Sequence, residues 1–295
     1  MRKTIIAAIA SALATIVLIE TVLEGPYGAS KTFAAQMWKR LQEQPTSPAS
    51  PENTCTIAQS PTVATGSTAI IGHAYGAPGT SNDFIAEKVE RFIQDHSAQL
   101  EAVIFSGDVL NVPSAARWQR LAALSATVGV PFHVTPGNHD VGIGENANRD
   151  VWNQSPFRLS ENRNTWITAS GFDIYLEDSI LTDWQVARHV VEAVSDRVSD
   201  NPKMLVRHNI IVNEMLPAAN SKAGLSGKLP AISEMVAVLP SGTTVVSGDS
   251  GAFPHLPRYA CIEQNEVTFV ANGIGEVDGD AVLILQDGGL SLFPI

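Results

Sequence analysis

The sequence predicts an α/β layer fold over residues 54–295, and two observations predict it. From residue 68 onward, short apolar runs of strand length alternate with longer amphipathic stretches. Polar, chemically capable residues recur just after the C-terminal ends of successive strands, the edge at which ligands gather in α/β sheets.

Three segments are expected. Residues 1–24 open with Met1-Arg2-Lys3 and continue as an apolar run over 4–23, interrupted by Glu20. About 20 such residues span a bilayer as a helix, and the basic start keeps the N-terminus cytoplasmic. The segment therefore reads as a transmembrane anchor that places the rest of the chain on the extracytoplasmic side. A cleaved signal peptide, giving a secreted form, and a plain buried helix are the alternatives. Residues 25–53 read as a linker because they end in Gln44-Pro45-Thr46-Ser47-Pro48-Ala49-Ser50-Pro51-Glu52-Asn53. Residues 54–295 then form one folded domain.

Within that domain, 68–71 reads as a buried strand and 82–99 as a helix with Phe84, Ile85, Val89, Phe92 and Ile93 on one face. A strand is expected at 102–105, a helix over 113–128 and a strand at 131–134. A further helix covers 182–198, followed by strands at 204–206 and 243–246. Alternating runs at 258–262, 267–270, 281–285 and 290–293 suit antiparallel pairing.

The formal net charge is −11, with 19 Lys plus Arg and no basic run after Arg2-Lys3. That balance excludes a nucleic-acid backbone as the main partner. The two cysteines, Cys55 and Cys261, lie too far apart for a compact zinc motif. In an oxidising compartment they could close a disulfide from the start of the domain to a late strand, and two unpaired thiols are the alternative.

The strongest chemical signal is Ser106-Gly107-Asp108-Val109-Leu110-Asn111 together with Pro136-Gly137-Asn138-His139-Asp140 about 30 residues on. A carboxylate, a carboxamide oxygen and an imidazole at one strand edge suit one or two ions of Mn, Fe, Zn or Mg. Each glycine lets the backbone turn tightly so that the ligand points into the cleft. Three further sites follow strands: His73 and Tyr75 in Ile71-Gly72-His73-Ala74-Tyr75-Gly76, His208 in Leu205-Val206-Arg207-His208-Asn209, and Asp249 in Ser247-Gly248-Asp249-Ser250-Gly251-Ala252.

In this order the motifs resemble those of the calcineurin-like metallophosphoesterases, over about residues 66 to 285. The resemblance implies a four-layer α/β/β/α sandwich of two facing sheets flanked by helices, with a two-metal site at the strand ends. It implies that Asp108 bridges both metals, that Asn138 and His208 ligate the second, and that the catalytic imidazole is His139. The first motif departs from the family pattern of Asp-x-His-Gly, with His73 and Tyr75 in place of its aspartate and histidine. The last departs from Gly-His-x-His, with Asp249 at the first histidine and Gly251, which has no side chain, at the second; His255 lies nearby. Where many relatives have an aspartate orienting the catalytic histidine, this chain has Asn111, so a weaker acid catalyst is expected.

The activity implied is metal-dependent phosphoester hydrolysis, by a phosphatase or phosphodiesterase acting outside the cytoplasm on a substrate the sequence does not name. The competing reading is a non-catalytic module of the same fold binding at the cell envelope. Gly248-Asp249-Ser250-Gly251 also imitates the nucleophile motif of chymotrypsin-like proteases, but the helical stretches oppose that double-barrel fold.

Overall fold

The computed structural model describes residues 55–77, 79–141, 149–159, 164–182, 186–215, 229–250, 259–276 and 278–295. The apolar run and the linker lie outside the described residues, as do Gly251 and His255. Among the described residues no helix is long and apolar enough to cross a membrane.

Among the described residues, twelve strands form two six-stranded sheets. The first is ordered β1 (Ala58–Gln59), β12 (Gly289–Pro294), β11 (Ala281–Gln286), β2 (Ser67–Ile71), β3 (Leu100–Ser106) and β4 (Phe132–Thr135). The second is ordered β5 (Asn164–Ala169), β6 (Phe172–Glu177), β7 (Lys203–Arg207), β8 (Thr244–Ser247), β10 (Val267–Asn272) and β9 (Tyr259–Gln264). Strands β2, β3 and β4 run parallel in one sheet, and β6, β7, β8 and β10 in the other. The late runs pair antiparallel as expected, β9 with β10 and β11 with β12.

Strand alternation decides which face each residue serves. In the second sheet Met204, Val206, Val246 and Val270 join the core shared with Ile70, Ile104 and Ile284 of the first sheet. Their neighbours Leu205, Val245, Phe269 and Ala271 face the other way, into a core completed by Val190, Val194, Ile232 and Met235. Those four come from helices α5 (Arg188–Asp196) and α6 (Ile232–Val236). On the first sheet, α1 (Glu87–Asp95) buries Val89, Phe92 and Ile93, and α2 (Ala115–Val128) buries Trp118, Leu121 and Leu124. Helix α2 starts where the Ser114 hydroxyl accepts the Arg117 N–H and stops at left-handed Gly129. Short helices α3 (Asn138–Val141) and α4 (Arg149–Asn153) follow β4.

Two expected helices are shorter than their apolar spacing predicts. The 82–99 stretch is helical only over α1. Ala86 N–H is spent on Ala74 O at 2.7 Å, so Phe84 and Ile85 are buried in the approach rather than on the helix. In the 182–198 stretch only α5 is an α-helix among the described residues, preceded by a 3-10 turn at Ser179–Thr182. The β5–β6 hairpin and the two-residue β1 went unpredicted. The hairpin turns at Ser170-Gly171, both at positive φ (48° and 78°), which matches the handed twist of a two-residue turn.

Cys55 and Cys261 are bonded, with Cα atoms 5.3 Å apart. Of the two readings left open by the sequence, the disulfide is the one the fold adopts. It links the segment leading into β1, an edge of one sheet, to β9, an edge of the other.

Candidate metal centre

All the predicted site residues lie at the C-terminal ends of strands. His73 and Tyr75 follow β2, Asp108 and Asn111 follow β3, Asn138 and His139 begin α3 after β4, His208 follows β7, and Asp249 follows β8. The first six positions belong to one sheet and the last two to the other, so the centre lies where the two sheets meet.

Asp108 is its middle. Its carboxylate is 1 % exposed. Oδ2 lies 3.3 Å from His73 Nε2, and Oδ1 lies 3.5 Å from His208 Nε2. Oδ1 also accepts the His139 backbone N–H at 2.9 Å, which fixes the carboxylate against α3. Both His73 and Asp108 sit at φ 53°, a left-handed conformation that costs a non-glycine residue about 1–2 kcal/mol. Such strain concentrates where a side chain must be aimed. Two glycines permit the approach. A Cβ on Gly107, at φ 90°, would stand 2.3 Å from the His208 ring, and one on Gly137 would stand 2.1 Å from Asp108 Oδ1.

The three histidines are oriented in one way. His73 Nδ1 bonds Gly76 O at 2.7 Å, His208 Nδ1 bonds Ser106 O at 3.3 Å, and His139 Nδ1 bonds Asn111 O at 3.1 Å. A carbonyl can only accept, so each Nδ1 carries a proton, and each ring when neutral presents an Nε2 lone pair. For His208 that lone pair faces Asn138 Oδ1 at 3.1 Å, Asp108 Oδ1 at 3.5 Å and Asp249 Oδ1 at 3.8 Å. Imidazole nitrogen, carboxamide and two carboxylates thus converge, a donor set that suits a cation.

Asp249 was expected at the second metal, with Asp108, Asn138 and His208. It also groups with His73 and Asp108, their ligand atoms all lying within 4.8 Å of one another. The carboxylate therefore lies near both His73 and His208. Tyr75 is fully buried, with its hydroxyl 3.5 Å from His73 Nε2 and its ring between those of His73 and His139, at centroid distances of 4.6 and 5.1 Å.

The electrostatics fit the same reading. Burial alone would raise the Asp108 carboxyl, but His208, His139 and His73 together hold it well below the usual carboxylate range. Burial pushes Asp249 up to about 7, against the pull of His208. Burial, then the charges of Asp108, Asp249 and Asp140, raises the Tyr75 phenol well above its ordinary value. Burial is the largest cause of both upward shifts, and the neighbouring carboxylates add to it.

One expectation fails. Asn111 was expected to steady His139 through its side-chain amide, yet the bond runs to the Asn111 main-chain carbonyl. The sequence reading also assigned no role to Asp140. It is fully buried and accepts N–H groups of Gly137 at 2.9 Å, Leu110 at 2.9 Å and Val109 at 3.1 Å, which locks the β3 loop to the β4 loop. Its place in Gly-Asn-His-Asp was visible, but only its partners reveal the task.

No family model matches the sequence, and no curated protein matches it. Among solved structures, the chain is similar to a phosphopantetheinyl hydrolase from Mycobacterium tuberculosis at 11% identity and TM-score 0.43, covering 72% of this chain and 91% of that one. It is also similar to a predicted phosphoesterase from Streptococcus pneumoniae at 9% identity and TM-score 0.31, covering 76% and 83%. At such scores neither likeness bears on the chemistry of the centre.

Proposed function

We infer that the chain is a metal-dependent phosphoester hydrolase acting outside the cytoplasm. The observation that carries this reading is the Asp108 carboxylate with an imidazole nitrogen on each oxygen, at 3.3 and 3.5 Å, and His139 beside it. His73, Asp108 and Asp249, with the Tyr75 hydroxyl alongside, would hold one cation. Asp108, Asn138, His208 and Asp249 would hold another. Bound there, Mn, Fe, Zn or Mg lowers the pKa of coordinated water toward about 7 and offsets charge on phosphoryl oxygens.

The chain's own residues supply the rest. His139 is partly exposed and is held through Nδ1, leaving Nε2 toward the cleft to donate a proton to the leaving oxygen once the ring is protonated. Tyr75 packs against its ring and excludes water from that side. Asp140 keeps His139 and Asp108 in register by tying their loops together. The disulfide supports an oxidising location, as does the apolar N-terminal run, read as a membrane anchor.

Hydrolysis of a phosphoester panel by the full chain tests this. EDTA should abolish activity, and added Mn or Zn should restore it. His139→Ala should lower kcat roughly 10²–10⁴-fold with metal content retained, and Asp108→Asn should lose both metal and activity. Full activity in either variant would refute the assignment, and bound metal with no hydrolysis of any ester would favour an envelope-binding module.

A further inference from the structure

An ion pair, Arg149 with Asp178, lies just past the end of β6, the strand beside the one that leads to His208. Arg149, the first residue of α4, places Nη1 2.9 Å from Asp178 Oδ2 and Nη2 3.4 Å from Asp178 Oδ1. The Asp178 side chain is wholly buried, whereas that of Arg149 remains 20 % exposed. Register places the pair. Leu176 of β6 is level with Val206 of β7, so Asp178, two residues on, is level with His208. The two segments stay adjacent beyond the strands, since Asn209 N–H donates to Ser179 Oγ at 3.1 Å. Leu176 and Val206 both face the core between the sheets, and alternation puts Asp178 and His208 on that same face. From the other direction, α4 packs on α3, the helix that carries Asn138 and His139.

Burying a carboxylate to hold one arginine adds little stability, because the desolvation cost offsets the attraction. What it does is fix the direction of a guanidinium fork. Two of the five N–H donors go to Asp178, and the rest are left for another acceptor. Arg207, also at this sheet end, is not available for that task. Its side chain is fully buried with Glu177 at 3.4 Å, on the strand face that Leu205 turns toward the outer core.

We propose that Arg149, positioned by Asp178, binds a non-bridging oxygen of the substrate's phosphoryl group and makes the enzyme prefer phosphomonoesters to phosphodiesters. This rests on the hydrolase reading above. A monoester presents a dianion with oxygens to spare for a guanidinium fork. A diester presents one negative charge and a second ester group where the fork would bind.

The test uses manganese-loaded full-chain protein, with p-nitrophenyl phosphate, bis(p-nitrophenyl) phosphate and inorganic phosphate as probes. Arg149→Ala should raise the monoester KM and the inhibition constant of phosphate about 10- to 100-fold, with metal content unchanged and a several-fold smaller loss on the diester. Arg149→Lys keeps the charge and the pairing with Asp178 but loses the fork, so it should fall in between; it also serves if the alanine variant does not fold. Asp178→Asn should shift KM in the same direction by less. Phosphate inhibition within twofold of wild type in both Arg149 variants, or equal losses on both esters, would overturn the proposal while leaving hydrolysis intact. Should the wild type cleave neither ester, calorimetric phosphate binding that weakens in Arg149→Ala sustains the anion site and removes only the hydrolase reading.

Discussion

Removing the Cys55–Cys261 bond is the perturbation whose size can best be worked from the structure. The two residues are 206 apart in sequence. Cross-linking a loop of that length removes chain entropy from the unfolded state worth about 5 kcal/mol at 25 °C. Little else holds the same corner. Strand β1 pairs with β12 over only Ala58↔Ser291 and Gln59↔Leu292, and β9 is the edge of its sheet. For a domain of this size, about 2 °C of melting temperature accompanies each kcal/mol, so the loss should be roughly 10 °C. The assay is thermal unfolding of the full chain followed by circular dichroism, oxidised and in reductant, for wild type, Cys55→Ser, Cys261→Ser and the double variant. All three variants should match reduced wild type. A shift below about 2 °C on reduction would show that the unfolded chain is already constrained, or that the bond is not formed, and would remove the main structural support for an oxidising location.

Two further outcomes follow from the site and its surroundings. Because His139 is held by the Asn111 carbonyl rather than the amide, Asn111→Ala should leave kcat on a phosphoester within about threefold of wild type; a drop of the 10²-fold order typical of a lost acid catalyst would restore the side chain's role. Burial raises the Glu177 carboxyl above its ordinary value despite the opposing pull of Arg207. The folded state therefore holds that proton more tightly than the unfolded chain does. Its contribution to stability is full below the unfolded value and is lost as pH rises through the folded one. Urea unfolding of wild type and Glu177→Gln should accordingly show wild type losing ground to the variant from acid toward neutral pH. A penalty of about 3–5 kcal/mol for Glu177→Gln at pH 7, the usual cost of breaking a buried pair, would show instead that attraction to Arg207 outweighs burial.

The layered fold was legible because buried parallel strands are continuous apolar runs, as at Ile70-Ile71 and Val103-Ile104-Phe105, and their order along the chain follows the pattern of elements. The β5–β6 hairpin was not. Phe172-Asp173-Ile174-Tyr175-Leu176-Glu177 carries two acids in a wholly buried strand, and composition hides their partners. Asp173 accepts from Thr168 at 2.8 Å and Arg197 at 2.8 Å, and Glu177 faces Arg207. The Ser170-Gly171 turn was the signal that could have revealed it. At the site, residue types and spacing located the candidate ligands, since chemistry depends on side chains that a sequence spells out. Main-chain acceptors escaped notice. Gly76, Ser106 and Asn111 orient His73, His208 and His139 through carbonyls that any residue would offer, and Asp249's reach to both sides depends on how the sheets meet.

The division of the ligands between two sheets gives the centre a mechanical meaning. His73, Asp108 and Asn138 extend from one sheet, while His208 and Asp249 extend from the other. A cation gripped by both sets acts as a rivet through the layers at the strand-end corner, and it forms only after the sheets have docked. Metal uptake then reports completed assembly. In a chain that has folded each sheet but not joined them, both proposed ligand sets would be incomplete and would hold the ion more weakly.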